Sequence, residues 1–401
     1  VSRGLVLLLA TTCGAAAANL YYAQPLLHTL SGALGVSNST AGLVITISQL
    51  GYVLGLALLL PLGDLRERRG LISTTLLLTA AGMVVAALAP SFAVFGAAIA
   101  VVGVTSVVAQ VVVAMSSSLS ADEERGRVVG TVMSGLLIGI LLARTVSGLI
   151  AAAFGWRTVF WFAAAAMLAL SVTLRRALPR VPPTADLSYR GLLRSVLALI
   201  REEPVLRQRM LIGALDFGCF STLWTALAFL LSGAPYHYGN AVIGLFGLVG
   251  VVGAGAASLA GRLADRGRGG WTTTATALVM LASWAVLALG KTSLAALIVG
   301  IAVLDLGVQG LHISNQSAIY ALRPEARSRL TTAYMVAYFL GGALASALAA
   351  SLYASGGWAA VCALGGGTAL LALVVWLVTE AMAARARRHR SHIGEQLSAT
   401  D

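Results

Sequence analysis

Apolar residues run along this chain in stretches of roughly 18 to 25, the length a helix needs to cross a hydrocarbon core of about 30 Å. Short polar or basic interruptions separate them. The pattern predicts twelve helices near residues 4–27, 40–62, 71–89, 92–115, 128–152, 158–175, 208–232, 239–261, 271–290, 294–316, 329–353 and 358–380. An even number of crossings puts both termini on one side. One stretch departs from the pattern. Between 176 and 209, Leu192, Leu193, Val196, Leu199 and Ile200 recur at helical spacing, while Arg190, Arg194 and Arg201 take the other face. An amphipathic helix on the membrane surface is expected there. It divides the chain into an N-terminal six-helix bundle (1–175), a linker (176–207), a C-terminal six-helix bundle (208–380) and a basic tail (381–401).

Composition agrees with lipid as the solvent. The chain is 58% hydrophobic and 10% charged over 401 residues, more apolar surface than one water-soluble core hides. An all-α integral membrane protein is expected. The N-terminal segment resembles a signal peptide, but so many similar segments follow that it reads as the first membrane helix. Cys13, Cys219 and Cys362 fall in separate segments, so neither a disulfide framework nor a metal site is expected.

Charge assigns the sides. Arg66, Arg68 and Arg69 follow the second segment, Arg125 and Arg127 the fourth, Arg262, Arg266 and Arg268 the eighth, and Arg323, Arg327 and Arg329 the tenth. The opposite loops offer Arg157 and Lys291. By the positive-inside rule the basic loops and both termini are cytoplasmic. The net charge of +12 is thus an orientation signal that favours anionic lipid, not nucleic acid.

The halves carry matching landmarks. Asp64 in "PLGDLRERRG" and Asp265 in "GRLADRGRGG" lie 201 positions apart, while Arg125 and Arg127 match Arg327 and Arg329, and Gly155-Trp156 matches Gly357-Trp358, at 202. A tandem duplication of a six-helix unit is the simplest explanation. Gly261, Leu263, Ala264, Asp265, Arg266 and Arg268 spell a loop that resembles the signature of the major facilitator superfamily; the copy at Asp64, Arg66, Arg68 and Arg69 is looser, with Leu60 in place of the glycine and Leu65 in place of the arginine. The stretches "NLYYAQPLL", "PLGD" and "LLARTVSG" look like a bacterial branch near the drug:proton antiporters.

That resemblance implies two six-helix pseudo-repeats and a cytoplasmic gate in which Asp64 works with Arg68 and Arg69, and Asp265 with Arg266 near Gly261. A carboxylate at that end of a helix opposes the helix dipole and needs such partners. The resemblance also implies that the first, fourth, seventh and tenth helices line a central cavity. Their polar residues are candidates to converge there: Asn19 and Tyr22 with Gln24 nearby, Ser106 and Gln110, Asp216 and Trp224, and a stripe of Asp305, Gln309, His312 and Gln316. Tyr21 reads as an interfacial anchor and Pro25 as a helix end or kink.

Arg144, Asp216 and Asp305 lie deep in apolar segments, where an ionisable residue suggests function. Arg144 needs a carboxylate, carbonyl, substrate anion or water beside it. Asp216 lies within reach of Arg207 and Arg209, a structural alternative. Asp305, near the middle of the tenth helix, is the expected proton-coupling residue, with His312, Asp216 and Arg144 as further candidates. Gln110 matches the family's fourth-helix glutamine, but Val107 stands where its arginine belongs.

These observations predict a secondary transporter moving a small organic molecule by alternating access, as proton-coupled efflux. A proton-coupled importer or facilitator is the alternative. "GxxxxGK[ST]" occurs nowhere, so no ATP use and no cofactor are expected. His28, His237 and His312 lie on different segments and make no catalytic cluster, and the loops hold no sensor domain. The expected partners are the small-molecule substrate, protons and membrane lipid, with the chain a monomer in a bacterial cytoplasmic membrane.

Overall fold

A computed structural model describes residues 2–180, 188–250, 269–323 and 326–398 of the protein; side chains are described within these ranges except at 64, 122, 123, 269 and 383–398. Regular structure among the described residues is helical throughout: α1 (Arg3–Ala18), α2 (Leu27–Leu34), α3 (Asn38–Leu58), α4 (Leu62–Leu65), α5 (Arg68–Leu88), α6 (Phe92–Thr105), α7 (Val108–Leu119), α8 (Asp122–Phe154), α9 (Trp156–Ala177), α10 (Tyr189–Glu202), α11 (Pro204–Ser232), α12 (Asn240–Leu245), α13 (Gly269–Ala288), α14 (Leu294–Tyr320) and α15 (Arg327–Ser398). Nine described helices are long and apolar enough to cross a membrane. One of them, Arg327–Met382, holds two spans joined at Gly357.

Two segments differ from the expected single helices. The first ends at Ala18, passes through turns and a 3-10 turn at Gln24–Leu26, and resumes as α2. Pro25 has no N–H to continue the α-helical ladder. Tyr22's carbonyl, left outside that ladder, accepts from Ser147 Oγ at 2.6 Å. The fourth breaks at Ser106–Val107, between α6 and α7. Thr105 Oγ1 bonds back to the Val101 and Val102 carbonyls, and Ser106 Oγ to Val102, the side-chain competition that bends helices.

The duplication is visible in the backbone. Gly155 and Gly357 both take positive φ, 85° and 63°, and the tryptophan after each opens the next span. Only glycine enters that region without strain. Trp156 then packs edge-on against Phe95 at 5.8 Å, and Trp358 donates to the Leu287 carbonyl at 2.8 Å.

Lipid is as apolar as leucine, so helices associate here by close packing. Gly14 meets Gly135 and Gly139 between α1 and α8, and Gly51 and Gly55 lie against Gly103 and Val104 between α3 and α6, with no room for a Cβ. Leu77, Leu78, Phe162, Leu344 and Leu371 stay exposed, as a lipid-facing surface requires. The halves meet along two seams, α8 with α12 and α3 with α15. Thr29 bonds Asn240 (2.9 Å), Thr145 bonds the Gly244 carbonyl (3.0 Å), Thr46 the Ala343 carbonyl (3.2 Å) and Gln49 Ser221 (3.0 Å). By chain direction these contacts cluster in the half of the spans away from the basic loops.

Candidate functional site

The break in the first segment prepares the site. It turns Gln24 toward α8, where Gln24 Oε1 accepts from Arg144 Nε at 2.6 Å. Arg144 is 2% exposed. Its guanidinium lies 3.9 Å from the centre of a Trp224 ring, 4.8 Å from Tyr21 and 5.4 Å from Phe220. Each desolvated ring contact contributes about 2 kcal/mol or more, while burying the ion costs at least several. The rings and Gln24 therefore offset much of the cost, and a counter-charge would offset the rest.

Asp305 on α14 is within electrostatic reach of that guanidinium. The two come from different halves. No ion pair within 4.0 Å joins them; Arg144 Nη2 and Asp305 Oδ1 are buried without a hydrogen-bond partner among the described residues. Trp224 Nε1 turns toward the Asp305 carboxyl without reaching a proper hydrogen bond. Beside Gln24, Arg144 and Trp224 lies a pocket of about 10 Å³, room for roughly one water.

A row of glycines brings the halves this close. Added Cβ atoms would strike the Arg144 carbonyl at Gly244, the Arg144 Cβ at Gly247, and Asp305 Oδ2 with Leu141 at Gly250. Phe246–Gly250 is a 3-10 helix, in which residues three apart eclipse. The spacing of Gly247 and Gly250 thus keeps one bare face against α8 and Asp305, which Gly244 extends from the end of α12.

A second cluster lies nearer the basic loops. Arg209 Nη1 donates to Asn315 Oδ1 and to Thr273 Oγ1, both at 3.1 Å, and its guanidinium covers Trp376 at 4.5 Å. Asn315 Nδ2 donates to Tyr334 Oη at 3.5 Å, and Tyr334 Oη lies 3.1 Å from His312 Nδ1. Tyr338 stacks on Phe217 at 4.3 Å and faces His312 at 4.6 Å. Asp216, fully buried among these rings, has no hydrogen-bond partner for either oxygen among the described residues.

The structure places several expected positions in other surroundings. Asn19 does not face the space between the halves: its Nδ2 turns to Met167 Sδ of α9 at 3.4 Å. Tyr22 lines a crevice between α1 and α8, because the helix break rotates it away from Gln24. His312 keeps the face of α14 it shares with Asp305 and is held there by Tyr334. Gln309 is half-buried with no hydrogen bond among the described residues. Gln110 Nε2 reaches Tyr52 Oη at 3.4 Å, and Tyr52 packs on Phe339 at 4.5 Å across the other seam. Arg207 bonds the Ile200 and Arg201 carbonyls, and Arg209 is engaged as above, so neither pairs with Asp216. Of the expected cavity residues, Trp224 and Gln24 join Arg144. Tyr21, Tyr334, Tyr338 and Asn315 complete the two clusters; the i, i+4 spacing of Tyr334 and Tyr338 was the signal available for that pair.

At the basic end, Arg68 is buried and donates to the Gly63 carbonyl at 2.8 Å and to Ser118 Oγ at 2.5 Å. Arg69 reaches the Leu178 carbonyl at 3.3 Å. The two Arg68 bonds lie within the first six segments, and Leu178 follows the sixth directly. The side chain of Asp64 lies outside the described residues, as do Gly261, Asp265 and Arg266.

Two halves of membrane-spanning helices with buried charge at their seam are the build of a membrane transporter. Residues 7–321 match the Major Facilitator Superfamily, and the chain belongs to that superfamily. It is 49% identical to the uncharacterized transporter YgaY of Escherichia coli O157:H7, covering 94% of this chain and 95% of the relative. Identity to the "Probable transporter SCO4007" of Streptomyces coelicolor is 34%, over 94% and 87%. A bacterial homolog of the human lysosomal transporter Spinster, solved inward-facing and unoccupied, superposes with a TM-score of 0.75 at 13% identity, covering 94% of this chain and 96% of that one. At that identity the likeness is one of fold.

Proposed function

We propose that this superfamily transporter exports a small organic molecule in exchange for protons, with Asp305 as the coupling carboxyl and Arg144 as the charge it answers to. The observation that carries this is the unjoined pair at the seam. A buried guanidinium and a buried carboxyl from different halves, in electrostatic reach of each other yet joined by no ion pair, fit an Asp305 that holds a proton in this conformation. When the proton leaves, attraction between carboxylate and guanidinium grows steeply in a water-poor site, and the seam tightens or rearranges. Substrate exchange for a proton would follow from competition for that carboxyl. Export as the direction rests on the resemblance of the first, second and fifth segments to drug:proton antiporters.

Clustering of seam contacts away from the basic loops supports a conformation closed to the outside, given cytoplasmic basic loops and termini. Opening outward would break the Thr29–Asn240, Thr145–Gly244 and Thr46–Ala343 bonds. Asp64 with Arg68 and Arg69, and Asp265 with Arg266, are proposed to latch the opposite end in that state. Counterflow of a labelled compound panel in proteoliposomes tests the reading. The expected result is a substrate whose outward movement speeds up under an inward proton gradient. Transport that ignores the gradient, or runs inward with it, contradicts the proposal.

A further inference from the structure

The crevice that holds Tyr22 runs along α1 and α8 on the lipid-facing side, with a volume of about 500 Å³. Its floor is the close contact of Gly14 with Gly135 and Gly139. Leu7, Thr11, Ile138, Leu142 and Phe162 on its rims are exposed. On α8 the lining extends from Thr131 to Val146, about 22 Å at 1.5 Å per residue. One leaflet contributes about 15 Å of hydrocarbon, so a whole acyl chain fits in a single pass.

The two ends differ in chemistry. Arg3 and Arg127 lie four residues before the first lining residues, Leu7 on α1 and Thr131 on α8. Residues four apart share a helix face, so both exposed arginines stand about one turn beyond the same mouth. Arg127 is paired there with Glu124 of its own helix at 2.9 Å, an exposed ion pair weak enough for a headgroup phosphate to displace. At the far end is Tyr22, 6% exposed, whose hydroxyl makes no hydrogen bond among the described residues. Its backbone carbonyl is held by Ser147, and Gln24, two residues on, holds Arg144.

We propose that this crevice is a binding site for one acyl chain of an anionic phospholipid, the headgroup phosphate set between Arg3 and Arg127 and the chain running inward toward Tyr22. Hydrophobicity cannot select such a chain, because the bilayer around it is equally apolar. Selection comes from dispersion contact with bare backbone along the glycine floor and from charge at the mouth. An occupied groove also props the α1 break that aims Gln24 at Arg144, so the lipid supports the site from outside it.

Photo-crosslinking tests the site without a substrate or a proton gradient. Phosphatidylglycerol with a diazirine in one acyl chain is placed in phosphatidylcholine vesicles containing the whole protein, and adducts are mapped by peptide mass spectrometry. Adducts concentrated on residues 7–22 and 131–146, reduced at least fivefold in Ser134→Trp, are expected. Arg3→Gln with Arg127→Gln should reduce them without affecting folding, as both side chains are exposed. Tyr22→Phe, which keeps the ring, serves as the milder groove variant should the tryptophan variant fail to fold, and should shift adducts away from residue 22. Adducts spread evenly over all lipid-facing helices, or unchanged in these variants, overturn the site. An equally strong pattern with diazirine-labelled phosphatidylcholine overturns the anionic headgroup.

Discussion

Asp305 and Asp216 are buried to nearly the same degree, 5% and 0% exposed, yet their surroundings differ in kind. Asp305 faces a guanidinium carried by the other half of the molecule. Asp216 is enclosed by rings of its own half, and the nearby arginines are occupied elsewhere. An ionised carboxylate with neither hydrogen bond nor cation is too costly to persist, so Asp216 is expected to stay a neutral acid through the cycle. Asp305 has a counter-charge whose distance depends on how the halves sit. Burial alone therefore does not mark a coupling residue; what matters is a partner that conformational change can bring or remove.

The comparison breaks most visibly at Arg144. Removing one member of a buried charged cluster costs about 3 kcal/mol or more, so Arg144→Ala should slow transport by roughly 100-fold. Arg144→Lys should not restore it, because lysine lacks the planar fork that lies on Trp224 and donates to Gln24. Wild-type rates in the lysine variant would reduce Arg144 to a point charge.

The seam gives a smaller effect. Gly247→Val would press a side chain onto Arg144, and overpacking costs about 1–3 kcal/mol. Initial rates should fall about tenfold, with the protein still folded by thermal melting in detergent. A valine variant of normal rate would mean the eighth segment stands further from α8 than described.

Tyr334 sharpens the other side of the comparison. Loss of its hydroxyl removes one net hydrogen bond, about 1 kcal/mol, and frees His312 Nδ1. Tyr334→Phe is expected to slow transport about fivefold while leaving the number of protons moved per substrate unchanged. A changed stoichiometry would put His312 in the proton path.

Much of this was legible from residues alone. Arg144 and Asp305 stand out because charge inside an apolar run has few bland explanations, and the Gly155 and Gly357 landmarks proved to be matching left-handed turns. Tyr21 was read as an interfacial anchor and not as part of the site, since contacts between halves leave no mark on the periodicity of either helix. The break after Ala18 was hinted at by Pro25. The one at Ser106 was hidden because a hydroxyl that bends a helix has the same sequence appearance as one that does not. Gly247 and Gly250 diverge by about 60° at 3.6 residues per turn and eclipse only at three.

The most direct test sets Asp305→Asn beside Asp216→Asn in proteoliposomes, comparing substrate exchange at equal pH with movement driven by a proton gradient. Asparagine mimics the neutral acid. Asp305→Asn should keep exchange and lose all gradient-driven movement, while Asp216→Asn should stay within about twofold of wild type in both, as a substitution of one neutral polar group for another implies. If Asp305→Asn still couples at normal stoichiometry, or Asp216→Asn uncouples instead, the assignment of the proton to Asp305 is wrong.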